Sequence, residues 1–217
     1  PGKAPGGYCT KLSWRGRPFI FMNAVGVPHG VNTLVHEAGH SFHDFAAHRL
    51  PFIWQRSTGH EAAELASMSM ELLALPYMDA YFKNTEDADR ARRHQLEGVS
   101  ILGWIAIIDQ FQHWIYTHPG HSRDDRTAEW NRLLDRFYHE LDWSGIQEAR
   151  DAMWQRQLHL FHVPFYYIEY GIAQLGALQI YNNSKKDAKK ALADYRNGLK
   201  YGGTRPLPEL FGAANIK

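Results

Sequence analysis

"TLVHEAGHSFHDF", residues 33–45, sets two histidines four apart with a glutamate directly after the first. On an α-helix, residues i and i+4 lie one turn apart on the same face. His36 and His40 can therefore aim both imidazoles at one point, and Zn²⁺ accepts such neutral nitrogens at about 2.0–2.1 Å. Glu37 then points beside the metal rather than at it, the place for a base acting on a metal-bound water. Gly39 costs a helix roughly 1 kcal/mol relative to Ala, and a glycine kept there suits a close approach by something else. The competing reading is a polar helix patch in a chain with 13 histidines.

A catalytic zinc takes three protein ligands and leaves one position open. The metzincin pattern, with Gly three residues after the second His and a third His three further on, is excluded because His43 and Ala46 stand there. No Cys lies close in sequence. A carboxylate from a following helix remains, and "HEAAELASMSMELL" (60–73) offers Glu61, Glu64 and Glu71 on one stripe. Acids on an Ala/Met/Leu-rich helix are costly to bury unless a cation or hydrogen bonds compensate.

Upstream of the motif, "RPFIFMNAVG" (17–26) reads as a strand bounded by Pro and Gly, with a shorter one at "YCTKLSW". "VPHG" then turns the chain into a helix from about Val31, capped by Asn32 or Thr33 and ending near Pro51. Further helices are expected from about Gly59, over 86–116, 126–141, 144–160, 164–182 and 185–201, with a clear break at "THPGHSRDD" (117–125) and a short last helix after Gly202-Gly203. The "KKDAKK" run (185–190) reads as a solvated helix face. The expected fold is mainly α, one catalytic domain over 1–217, with a small β element before the motif helix.

Composition narrows the function classes. With 24 Lys+Arg against 23 Asp+Glu, the chain lacks the dense basic face of a nucleic-acid binder. A single cysteine, Cys9, excludes an internal disulfide and favours a reducing, cytoplasmic setting. No apolar run reaches the roughly 20 residues that span a bilayer. The chain opens on "PGKAPGG" without Met, as a piece of a longer protein would.

"HEAGHSFH" followed by "AELASMSMELL" resembles the thimet oligopeptidase/oligoendopeptidase F family of zinc metallopeptidases, and the resemblance runs from "GGYCT" to "GGTRPLPELFGAAN". It implies a gluzincin-type zincin domain that hydrolyses short oligopeptides, with one zinc ion held by His36, His40 and Glu64 and with Glu37 as general base. His43 and Glu71 match positions that support ligands rather than bind metal. In the family a His and a Tyr-rich segment donate hydrogen bonds to the oxyanion and the substrate backbone. "PFYYIEY" resembles that segment, which carries over to His159, Tyr166, Tyr167 and Tyr170, with His162 as the alternative to His159. The strand "PFIFMNAVG" (18–26) resembles the family's edge strand beside the site, against which an extended peptide can lie. Family members are much longer, so an N-terminal region or another chain is expected to close the channel. Two competing functions are a zinc-stabilised helical or peptide-binding fragment without catalysis and a peptide deformylase-like hydrolase, which needs a Cys ligand that only Cys9 could supply.

Overall fold

The computed structural model describes residues 6–12 and 14–217; the opening 1–5, read as loop, lies outside them, as does Ser13 within the first expected strand. Helix accounts for 68% of the structure beside a small two-stranded sheet, so the chain is mainly α as its sequence implies. Among the described residues no helix is long and apolar enough to cross a membrane.

The chain divides into two compact units, one holding the chain up to Val99 together with Ile172–Lys217, the other Ser100–Gly171. In the first, β1 (Gly7–Leu12) and β2 (Arg17–Met22) form an antiparallel hairpin with Cys9 opposite Ile20 and Lys11 opposite Pro18. Asn23 N donates to Gly6 O at 2.9 Å. By the alternation of an antiparallel ladder, the backbone groups of Gly7, Cys9 and Lys11 then turn away from β2. The same alternation lets Pro18 sit in the ladder without a missing donor.

Helix α1 (His29–Ala47) begins before the expected Val31, and its N-cap position is Pro28, not Asn32 or Thr33. Proline's fixed φ, here −51°, already suits the helix, and the Thr33 hydroxyl donates to His29 O at 3.1 Å. The helices α2 (His60–Leu73) and α3 (Thr85–Glu97) follow, the latter capped by Asn84. The core gathers Leu65, Ala66 and Leu72 from α2 with residues from the C-terminal part of the chain, including Ala177, Ile180, Tyr195 and Phe211. These belong to the stretch of α8 (Tyr167–Lys186) from Ile172 onward, α9 (Ala188–Leu199) and α10 (Leu207–Ala213). Asp187 caps α9 through Lys190 N, and the surrounding 185–190 run is exposed, the solvated face expected of it.

In the second unit, α4 (Ile101–Thr117) packs on α5 (Arg123–Phe137) around Trp104, Ile108, Phe111, Trp130 and Leu134. A reciprocal cap between Ser122 and Asp125 starts α5 at the break read from sequence. Two expected helices are interrupted. The one placed over 86–116 is split by a 3₁₀ turn at Gly98–Ser100, where glycine gives up helix propensity and the charged α3 sequence gives way to apolar α4. The one placed over 144–160 consists of α6 (Gln147–Ala152), a 3₁₀ turn at Met153–Arg156 and α7 (His159–His162). The left-handed Gly145 (φ +79°) precedes it.

Candidate metal centre

The hydrogen-bonding partners of α1 decide where its histidines point. His36 Nδ1 lies 2.6 Å from Glu71 Oε1, and His40 donates to the carbonyl of Ala63. Each ring thus spends one nitrogen on α2 and presents the other. His36 Nε2 stands 3.3 Å from Glu64 Oε2 and His40 Nε2 stands 3.8 Å from the same oxygen. The rings cross at 83° with centroids 4.9 Å apart. His36, His40 and Glu64 form the one group among the described residues whose ligand atoms converge within 4.8 Å. Ligands about 2.0–2.1 Å from a tetrahedral ion would lie about 3.4 Å from one another, close to the spacing found. Two half-buried imidazoles from α1 and one buried carboxylate from α2 are the donor set that suits zinc.

Electrostatics agree with that fit. Burial disfavours charge on His36, but Glu64 and Glu71 outweigh it and push the ring up to about 10, so this place attracts a cation. Burial dominates at His40 and holds it near 4 despite Glu64, leaving a neutral ring able to ligate. Glu64 is itself gripped from below: the Ser67 hydroxyl lies 2.9 Å from Glu64 O and 3.0 Å from Glu64 Oε2. Gln95, on α3, donates its amide to the second oxygen of Glu71. Ser67 and Gln95 were absent from the sequence reading. The small-residue segment after Glu64 was the only hint of the first, and nothing local points to the second.

Gly39 identifies what approaches α1. A Cβ there would meet Ser67 Cα at 2.6 Å and the Ala66 carbonyl at 2.7 Å, both backbone atoms of α2. The bare glycine lets the helix bearing His36 and His40 touch the helix bearing Glu64. Glu37 is buried beside the group, and its carboxylate accepts the backbone N–H of Cys9 from the edge of β1 that faces away from β2. Burial raises its pKa against the nearby His36 charge. The edge beside the site is therefore β1, whereas the sequence reading had assigned that place to the strand now seen as β2. Gly7 permits the approach, for a Cβ there would meet Thr33 Cγ2 at 2.7 Å and Glu37 Oε1 at 3.4 Å.

The remaining expected residues fall as follows. Glu71 supports His36 directly. His43 is buried in an apolar cavity lined by Ala62, Leu65, Tyr195 and Leu199, outside the converging group. Glu61 folds back over Gly59 at the start of α2 and is not among the three. The Cys9 thiol faces Ser41 Oγ at 3.4 Å and likewise stands outside the group, so the ligand set of a deformylase is not formed.

Comparison with known proteins decides the family. The family model for peptidase family M3 matches residues 1–217. The chain belongs to peptidase family M3. Its curated relatives in that family include an oligoendopeptidase F homolog of Borreliella burgdorferi, 27% identical over 96% of this chain and 36% of the relative. Another is oligopeptidase PepF of Bacillus subtilis, 27% identical over 94% of this chain and 31% of the relative. The chain thus spans about a third of the length of the curated relatives it matches. A solved structure of PZ peptidase A with an inhibitor superposes at a TM-score of 0.92, with 34% identity, over 100% of this chain and 38% of that one.

The second unit of this M3 chain holds the other expected residues. His159 sits among Tyr166, Tyr167 and Tyr170, with ring centroids 5.9, 5.0 and 5.7 Å away. Its Nε2 is 3.5 Å from Tyr170 Oη. Burial raises the Tyr167 phenol, with Trp104 hydrogen-bonded against it. His162 is exposed, so it is His159 that the tyrosines surround. Phe165 turns the chain with a left-handed φ of +63° directly after Pro164, and its N–H donates to Gln112 Oε1 at 2.9 Å.

Proposed function

We propose that this chain is the catalytic portion of a zinc-dependent endopeptidase that hydrolyses short oligopeptides. The observation that carries the reading is the three-ligand convergence of His36, His40 and Glu64 with a buried carboxylate, Glu37, next to it. Three protein ligands leave room for a reacting molecule, whereas structural zinc sites are closed by a fourth. Zinc bound there supplies Lewis acidity, lowering the pKa of water and polarising the scissile carbonyl. Glu37 takes the proton from the attacking water on its carboxylate oxygen and passes it to the leaving amine nitrogen. The Cys9 N–H holds that carboxylate in orientation through the exchange.

By resemblance to the family, His159, Tyr166, Tyr167 and Tyr170 donate hydrogen bonds to the developing oxyanion and to the substrate backbone. Apart from the Cys9 N–H, which Glu37 takes, the outward backbone groups of β1 offer an extended peptide a strand to pair with. Polypeptide beyond the span of this chain, of the kind its longer relatives carry, completes the channel. The single thiol fits a cytoplasmic setting.

The test pairs metal analysis with cleavage of a fluorescence-quenched peptide by wild type and Glu37→Gln. The variant should keep its zinc and lose turnover by about 10²–10⁴-fold, the usual contribution of a positioned base. Retained cleavage would refute the role of Glu37. Zinc binding without cleavage by the wild type would favour a peptide-binding fragment.

A further inference from the structure

The surroundings of His159 contain a hydrogen-bond relay that fixes which of its nitrogens carries the proton. Trp104 Nε1 lies 3.0 Å from Gln157 Oε1, its one N–H shared between that oxygen and the Tyr167 hydroxyl. An indole N–H only donates, so its partner must be the carbonyl oxygen of the Gln157 amide. The amide nitrogen then faces the other way, and Gln157 Nε2 lies 2.6 Å from His159 Nδ1. An amide NH₂ can only donate, so His159 Nδ1 must accept. In the neutral ring the proton is left on Nε2, the atom nearest Tyr170 Oη. One indole with a single possible role thereby orients an amide that is otherwise ambiguous between its two ends, and the amide orients an imidazole.

We propose that Gln157, held by Trp104, is a positioning residue that sets the His159 tautomer so that Nε2 is the N–H donor. The inference rests on the reading above, in which His159 donates a hydrogen bond to the oxyanion. With the proton on Nδ1, Nε2 would present a lone pair to a negative oxygen and the donor would be lost. The bond at Nδ1 thus carries information to the opposite side of the ring, as partner groups do for ligating histidines. Gln157 touches no substrate in this scheme and acts through His159 alone.

The experiment is long-range ¹H–¹⁵N correlation NMR on protein labelled at histidine nitrogens, assigned with His159→Gln and run beside steady-state kinetics. The wild type should show a pyridine-type Nδ1 and a pyrrole-type Nε2 for His159. Gln157→Glu keeps shape and still accepts from Trp104, but its second oxygen demands a proton on Nδ1. That variant should exchange the two nitrogen signatures and lower kcat at least tenfold with a smaller change in KM. Trp104→Phe releases the amide and should give a mixture of tautomers; because Trp104 also bonds Tyr167, its nitrogen signatures and not its kcat provide the reading if Gln157→Glu does not fold. A wild-type proton on Nδ1, or an unchanged tautomer in both variants, would overturn the relay. Inverted signatures with undiminished kcat would overturn its catalytic role. A wild type with the expected tautomer but no peptide cleavage would leave the relay standing and refute the proposed function instead.

Discussion

His43 shows how far a single residue can be read. It lies three positions after His40 on the same helical stripe, so spacing alone cannot separate a ligand from a core histidine. What separates them is packing: His43 is enclosed by Leu65, Tyr195 and Leu199, residues that lie far along the chain or on another helix. Burial holds it near 4, against about 6.5 in an unfolded chain. As pH falls below about 6.5 the unfolded state takes up this proton first, so stability complete above that pH drains away down to about 4. The shift corresponds to at most about 3 kcal/mol. In metal-free protein, His43→Met should therefore lose less stability than wild type between about pH 7 and pH 4.5. Urea midpoints measured across that range check it, and parallel slopes would remove His43 from the account. His36, His40 and Glu37 were legible because one helical turn fixes their relation locally. Ser67, Gln95 and Gln157 were not, because each acquires its role from a contact that only the fold creates.

Between elements, the decisive contact is α1 against α2. The sequence reading found a glycine inviting an approach without naming the visitor, and acids too costly to leave on an apolar helix without a partner. The structure joins the two clues, since Gly39 meets the backbone of α2 one turn beyond Glu64. Gly39→Ala should wedge the helices apart, because backbone atoms at 2.6 and 2.7 Å have no rotamer by which to yield. The expected outcome is a loss of about 1–3 kcal/mol, the usual cost of overpacking, together with weaker zinc binding. Thermal melts with and without zinc, and a competitive zinc titration, measure both. Unchanged affinity with lowered stability would mean that Glu64 tolerates the wedge. The helix breaks at Gly98–Ser100 and Met153–Arg156 were less legible, because neither carries a proline and a lone glycine in helix-forming sequence is a weak stop signal.

At the scale of the whole molecule, the mainly α class and the small hairpin before the motif helix follow from patterning and turn residues. The division into two units does not, because no proline-rich or low-complexity stretch marks it; the boundary after Gly171 falls inside the continuous helix α8. The metal-centre unit draws its core from both halves of the chain: Leu65 and Leu72 pack with Ala177, Ile180 and Phe211. The late Gly202-Gly203 pair seals the loop between α1 and α2, with Gly203 N bonded to Gln55 O at 2.8 Å. A chain stopped after Gly171 would hold His36, His40 and Glu64 yet lack that half of the core. It should show no cooperative melt and bind zinc far more weakly than the full chain, as dye-competition titration would reveal; tight binding would sink the claim. On the ribosome, the ligands emerge long before the residues that shape their cage. Their cage cannot close until α8, α9 and α10 have followed them out of the exit tunnel, so convergence of the three comes late relative to their own synthesis.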